Sequence, residues 1–254
     1  MQKTCYYKTF SDDFVHNNNE DRKIGKDYKW IHESGLYNII SYVVYGIAYL
    51  FGFFYLRFGL KTKIKNRDVL KKYRKTGYYL YGNHTQPLGD VFFPTQVCVR
   101  KRFYTIATQE NLGVPVIGRL LPMLGALPTP EGLQQMKAFN EAVFKRIEQK
   151  HCVVIYPEAH VWPYCTMIRP FPATSFRYPV ESNAPVFCMT VTYQKRRHGD
   201  KPQITIFIDG PFFPDMGVSK KEAQEKLKDE VLECMIKRSN KNTYEYIQYR
   251  KAPD

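Results

Sequence analysis

Acidic residues are in short supply: 24 Asp and Glu face 38 Lys and Arg, a formal net charge of +14. A surface of that sign attracts polyanions, whether nucleic acid, anionic lipid headgroups or a phosphorylated cofactor, and charge alone does not choose among them. Closely spaced cysteine pairs are missing. The six cysteines, Cys5, Cys98, Cys152, Cys165, Cys188 and Cys234, include no C-x-x-C pair, and Cys98 and Cys188 sit inside apolar runs. They read as buried free thiols in a reducing compartment, not as a disulfide framework or a zinc site. The sequence also lacks a glycine-rich phosphate loop, a metal-ligand pair at helical spacing and a nucleophile elbow. Those absences set aside nucleotide-loop, zinc-hydrolase and serine-hydrolase chemistry. A basic start leading directly into an apolar core is missing as well, so no secretory signal peptide is expected.

What is present is a chain of 254 residues, enough for one large domain, with 20 Tyr and 17 Phe. Aromatic rings carry large apolar area, and tyrosine suits membrane interfaces because its hydroxyl stays wet. Residues 1–34 form a polar lead-in with three Asn at 17–19, expected to be loosely ordered. Residues 35–56 then carry no charged side chain, and ~20 such residues suffice to cross a hydrocarbon core as a helix. Lys23, Lys26 and Lys29 precede this run, and Arg57, Lys61, Lys63 and Lys65 follow it. Basic flanks on both sides give no orientation bias. The segment 35–60 is therefore read as a membrane-associated helix or helical hairpin, lying in one leaflet or spanning the bilayer. The competing reading is the core helix of a soluble protein.

Beyond residue 60 no linker interrupts the chain, and 61–254 reads as one α/β domain. Short apolar runs at 78–81, 103–107, 152–156, 186–191 and 203–208 predict strands. The stretch 131–150 predicts an amphipathic helix with Leu133, Met136, Val143 and Ile147 near one stripe. Ser219, with Glu222 in capping-box position, predicts the start of a long helix to about residue 238. Strands separated by helices predict a mixed sheet covered by helices.

Chemistry concentrates at two strand ends. Asn83, His84 and Asp90 follow the 78–81 run, at the kind of address where α/β sheets bind ligands. Histidine is the natural general base near neutral pH, and a nearby carboxylate fixes its tautomer and stabilises the imidazolium. Pro87 and Gly89 make the intervening turn tight and adaptable, the glycine by tolerating positive φ. The second address is Tyr156-Pro157-Glu158-Ala159-His160, where an acid at the end of a buried run requires a partner or a task. Between them, residues 113–128 form an apolar block punctuated by Gly and Pro, read as a shaped surface suited to an acyl chain. His160 reads either as a site-lining residue or as a local hydrogen-bonding group. His151 and His198 read as surface residues, and Cys165 lacks a basic partner in sequence and is not a nucleophile candidate.

In their order, these blocks resemble the motifs of the glycerolipid acyltransferases, the family that includes bacterial 1-acyl-glycerol-3-phosphate acyltransferase. The Asn-His…Asp motif resembles Asn83-His84…Asp90, here with one more residue before the Asp. The Gly-containing apolar block resembles 113–128, Phe-Pro-Glu-Gly resembles Tyr156-Pro157-Glu158-Ala159, and the proline block resembles Ala184-Pro185-Val186. Phe171 and Phe176-Arg177 match the family's intervening positions, and the resemblance covers roughly 37–215. It implies O-acyl transfer by direct attack, with His84 as general base oriented by Asp90. Asn83, Glu158 and His160 are implied to line the substrate. The arginine that ends the family's second motif is absent near Thr129-Pro130-Glu131, which leaves Arg119 and Arg169 to hold an acceptor phosphate. The implied donor is acyl-CoA or acyl carrier protein, and the acceptor a lysophospholipid-like alcohol. The implied location is the cytoplasmic face of an anionic membrane, with no metal or resident cofactor. An alternative is a catalytically silent lipid-binding protein on the same fold, for which a His84–Asp90 separation beyond hydrogen-bond reach would speak. Nucleic-acid binding rests on charge alone and lacks a recognisable module.

Overall fold

The computed structural model describes residues 3–15, 23–113 and 117–253. Asn17–Asn19 and residues 114–116 of the apolar block lie outside them. A seven-stranded sheet in the order β2-β8-β7-β3-β6-β4-β5 forms the centre. Its strands are β2 (Lys63–Lys65), β3 (Tyr78–Gly82), β4 (Phe103–Ala107), β5 (Ala126–Pro128), β6 (Cys152–Ile155), β7 (Val186–Gln194) and β8 (Gln203–Phe212). All neighbours pair parallel except β7 with β8, so the sheet is mixed.

Why β3 sits in the middle is legible in its side chains. Every residue from Tyr78 to Gly82 is buried, as a parallel strand covered on both faces requires. Its side chains alternate between faces. Tyr79 and Tyr81 join one apolar cluster with Phe139, Phe176 and Val231, while Tyr78 and Leu80 join another with Leu56, Phe93 and Phe187. The buried phenols are not wasted: Tyr81 donates to the Ser175 carbonyl at 2.9 Å, and Tyr79 bonds Ser182 at 3.2 Å.

Helices α2 (Gly89–Val97), α4 (Leu133–Glu148), α5 (Arg177–Ser182) and α6 (Lys220–Ser239) accompany the sheet. In α6, Ala223, Leu227, Val231 and Met235 repeat every four residues on the buried stripe. Ser219 caps it, accepting a hydrogen bond from the Glu222 amide at 3.3 Å. The buried stripe of α4 is Gln135, Phe139, Ala142, Val143 and Ile147. Leu133, expected on that stripe, is 89% exposed instead. Gln135 takes the inward position because both ends of its amide are used, by the Gly25 carbonyl and the Glu131 amide.

The described part of the lead-in is ordered. Strand β1 (Lys3–Tyr7) pairs parallel with β9 (Ile247–Lys251) in a second, two-stranded sheet. Ile24 and Trp30 are buried in the main core, with the indole donating to the Pro128 carbonyl at 2.8 Å. The polar composition of 1–34 hid these anchors because two apolar side chains suffice. Residues 117–128, expected to be irregular, form the short helix α3 (Ile117–Leu120), a turn and the edge strand β5.

Helix α1 (Gly35–Phe54) continues as a π turn to Gly59, making one unbroken helix and excluding the hairpin. Its inward stripe is small and polar: Ser41 and Gly52 are buried, followed by Leu56 in the π turn. A Cβ on Gly52 would stand 2.4 Å from the Phe92 ring, so only glycine admits α2 this closely. The outward face is apolar, with Leu36, Ile39, Val43, Ile47, Leu50, Phe54 and Phe58 exposed. The helix is long and apolar enough to cross a membrane. Its polarity is the reverse of a soluble amphipathic helix, and an apolar patch of this kind marks a lipid or partner contact.

His151, expected at the surface, is half-buried at the start of β6, beside the Tyr104 ring. Burial and the nearby cations Arg102, Arg146 and Lys101 push it down to about 4. A base depressed in the fold binds its proton only when the chain unfolds, so its contribution to stability is full above the unfolded value and lost as pH falls toward the folded one. Urea unfolding midpoints should therefore fall between about pH 7 and about pH 4.5. In His151→Gln that fall should be shallower, and equal slopes for both proteins would show that His151 does not titrate in this way.

Candidate active site

The site is assembled at the carboxyl end of β3. The strand is tied off by Asn83, which is buried: its amide donates to the Val191 carbonyl at 3.1 Å and accepts from the Val191 amide at 2.7 Å. The side chain thus extends the β3–β7 pairing by one residue, which is a positioning task and not the substrate contact expected of it.

His84 follows. Its Nδ1 lies 2.7 Å from Asp90 Oδ2, and the Gln86 amide donates to the same oxygen at 2.9 Å. Asp90 sits in the first turn of α2 and is 1% exposed. A helix N-terminus favours a carboxylate, but burial still pushes its carboxyl above the ordinary value, with the His84 contact opposing that shift. Its second oxygen, Oδ1, meets no hydrogen-bond partner among the described residues. The turn absorbs the extra residue, though not by positive φ. Gly89 is helical, and its missing Cβ leaves room for Gln86 and Phe93, each of which would stand 2.9 Å from such an atom.

The imidazole is pinned on one flat face by Tyr156, whose ring stacks at 4.5 Å and whose hydroxyl donates to the Asp90 carbonyl at 2.6 Å. One ring nitrogen is thereby committed to Asp90, while the side chain remains 20% exposed. Nε2 carries no hydrogen bond to any described residue. A histidine held this way has one acceptor nitrogen left for a ligand proton.

Beneath it lies a buried ion pair. Glu158 accepts from the His84 amide at 3.0 Å and the Arg169 guanidinium at 2.8 Å through one oxygen, and from the Arg169 amide at 3.0 Å through the other. Both side chains are essentially inaccessible. Arg169 also donates to the His160 carbonyl and lies under the Trp162 ring at 4.8 Å. One guanidinium nitrogen makes these bonds, and the side chain is 1% exposed, so Arg169 stands behind the His84 loop and not at a surface where an acceptor phosphate would meet it. Ala159 adopts a left-handed conformation, φ 64°, which explains why a glycine suits the corresponding place in the related motif.

His160 stands at the rim, 42% exposed at the side chain, with Nδ1 at 3.6 Å from Asp13. The lead-in thus reaches the site, and Phe14 and Tyr7 pack on Trp162. Arg119 does not join this group. It is exposed on α3 and lines a separate pocket of about 240 Å³ with Lys23, Gly25, Tyr28 and Pro122. Two participants were not legible in sequence. Tyr193, beyond the expected end of its strand, bonds the Thr85 hydroxyl at 2.8 Å and accepts from the Gln86 side-chain Nε2 at 3.1 Å. Trp162 donates to the Asp12 carbonyl at 2.8 Å; being one of only two tryptophans was its only signal. Cys165 is 1% exposed, and burial pushes its thiol up to about 12, away from the thiolate a nucleophile needs. Among the described residues no group of three or more His, Cys, Asp and Glu could hold a metal ion.

No protein-family model and no curated protein sequence matches the chain. Among solved structures it is similar to the 1-acyl-sn-glycerophosphate (LPA) acyltransferase PlsC from Thermotoga maritima. The superposition has a TM-score of 0.52 at 14% identity and covers 82% of this chain and 96% of that one. At that identity the likeness establishes the fold, a mixed sheet flanked by helices with an N-terminal apolar helix.

Removing one member of a buried ion pair leaves the other uncompensated, at about 3–5 kcal/mol. Arg169→Met should lower stability by that order in denaturant titration, and adding Glu158→Gln should restore a large part of it. Arg169→Met unfolding with wild-type stability would mean that Glu158 is not held as described.

Proposed function

We propose that the chain is an O-acyltransferase that moves a fatty acyl group from acyl-CoA or acyl carrier protein to the hydroxyl of a lysophospholipid-like acceptor. The observation that carries the proposal is the 2.7 Å contact between His84 Nδ1 and Asp90 Oδ2 at a strand's carboxyl end. It speaks against the catalytically silent alternative, which called for a separated pair. The fold shared with an LPA acyltransferase supports the reaction class.

Asp90 holds the tautomer in which Nδ1 carries the proton and Nε2 is basic. Nε2 accepts the proton of the acceptor hydroxyl as its oxygen attacks the thioester carbonyl. The C–O ester bond forms and the C–S bond breaks. The departing thiolate takes the proton from the imidazolium, so acid, base and charge return to their starting state. Asp90 stabilises the imidazolium in between, and the dry setting strengthens that attraction. No acyl-enzyme forms. Asn83, Glu158 and Arg169 act through the loop that carries His84. His160, exposed at the rim, is assigned to the acceptor headgroup, and Arg119 to no step.

Membrane contact through α1 completes the reading. Leu88 and Val91, on either side of Asp90 in sequence, are 51% and 52% exposed, and α2 packs on α1 through Phe92. Apolar surface therefore runs from the helix to the residues flanking the catalytic pair, a path that suits an acyl chain. Free thiols, basic surface and this apolar face together support a site at the cytoplasmic face of an anionic membrane.

His84→Ala should lower kcat for acyl transfer by ~10²-fold or more, with unfolding midpoint and vesicle binding unchanged. Asp90→Asn should lower kcat while leaving KM for the acceptor near the wild-type value. Wild-type-like turnover in His84→Ala would sink the proposal.

A further inference from the structure

A second charged centre lies at the opposite end of the sheet, where β4 and β6 begin, about 15–20 Å from His84 by strand length. Arg102 directly precedes β4 and Arg146 lies in the last turn of α4. Both guanidiniums stack on one ring, that of Tyr104, at 5.2 and 4.4 Å, which brings two like charges together. Arg102 also lies 4.8 Å from the rings of Tyr42 and Tyr45 on α1. Lys29 completes the set of cations lining the pocket between them.

Among the described residues no Asp or Glu forms an ion pair with Arg102, Arg146, Lys101 or Lys29. The acceptors that Arg102 and Arg146 do meet are neutral: the Ser41 hydroxyl, the Met123 and Trp30 carbonyls and the Gln149 amide. The Nε of each is buried without a partner. Two adjacent histidines, His32 and His151, are both pushed toward the neutral form by burial and these cations. Half-buried guanidiniums without a counter-charge are costly, and the fork of donors that arginine presents matches a phosphate.

Size and setting narrow the ligand. The pocket offers about 30 Å³, room for about two water-sized oxygens by that measure. That seats part of a phosphate, about two of its oxygens, and not a nucleotide. Tyr37, Asn38 and Ser41 line it from the first turns of α1. Leu36, Ile39 and Ile40, on those same turns, expose apolar side chains to the surroundings. The pocket thus holds cations beside polar side chains of α1, and the apolar face of the same turns points outward next to it.

We propose that this pocket binds the phosphate of a phosphomonoester lipid and thereby anchors the amino-terminal end of α1 at the membrane surface. The inference rests on the membrane contact assigned to α1, but not on chemistry at His84. The test is flotation of the full chain with phosphatidylcholine vesicles containing either phosphatidic acid or phosphatidylserine, matched in surface charge. The wild type should bind the phosphatidic acid vesicles roughly tenfold more tightly, the gain of about one charge-assisted hydrogen bond. Arg146→Gln and Arg102→Lys should lose that preference while still binding both vesicle types, and His84→Ala should keep it. Circular dichroism of each variant separates loss of the site from loss of the fold. Binding to neither vesicle overturns the membrane contact itself. Equal binding to both, or a preference that survives in Arg146→Gln, overturns the site. Inorganic phosphate or glycerol phosphate is the other arm: a rise in Tm with either, without any vesicle preference, overturns the lipid assignment in favour of a soluble phosphate.

Discussion

A carboxylate that has left water must be met by donors, and the site is organised around one that has. Glu158 closes strand β6 in a place where it is 6% exposed. Its oxygens are satisfied by the backbone of two other segments, at His84 and Arg169, and by the Arg169 side chain. Because each of those bonds is directional, burying one acid fixes the spacing of three chain segments in two loops at once. The His84 loop is thus held from below by Glu158, from the sheet by Asn83 and from above by the Tyr156 ring. Such support leaves the imidazole little freedom and directs its one remaining nitrogen outward, which is the preorganisation that proton transfer requires. The contribution of the pair is specificity of arrangement; a net gain in stability does not follow from burying it.

The same logic, inverted, governs α1. Its inward stripe is small and polar, so it docks closely and by hydrogen bonds, as between Ser41 and Arg102 at 2.7 Å. Its outward face carries the large apolar side chains. Water leaves such a face with a free-energy deficit that only lipid or a partner removes. At its carboxyl end the helix meets α2, whose first turn holds Asp90, and at its amino end it meets the arginine pair. One element therefore links an apolar surface to the His84–Asp90 pair and to the Arg102–Arg146 pair.

Much of this was legible in the residues. The buried strands, the capped helix beginning after Ser219 and the mixed sheet follow from apolar periodicity and turn signals, which are local. The proximity of His84 and Asp90 is readable as a pattern, but the way the turn allows it is not. Gly89 serves by lacking a side chain between Gln86 and Phe93, a constraint set by tertiary neighbours. Arg169 reads as a ligand group in sequence because Glu158, eleven positions earlier, becomes its partner only when the loop folds back. Tyr193 and Trp162 reach the site across the sheet and from the lead-in's packing surface, and no spacing rule encodes that. The order of the lead-in depends on pairing between residues 3–7 and 247–251, at opposite ends of the sequence. Long-range partners of this kind are where single-sequence reasoning ends.

The central claim, that His84 with Asp90 transfers an acyl group to a lipid hydroxyl, is tested most directly by product identification. The chain is incubated with radiolabelled acyl-CoA and a panel of lysolipids, and the labelled lipid is resolved and identified. The account expects label in a new ester on one or more lysolipids, with free thiol released in equal amount. Label recovered only as free fatty acid, or unchanged acyl-CoA in the presence of every acceptor while the protein binds them, would contradict it.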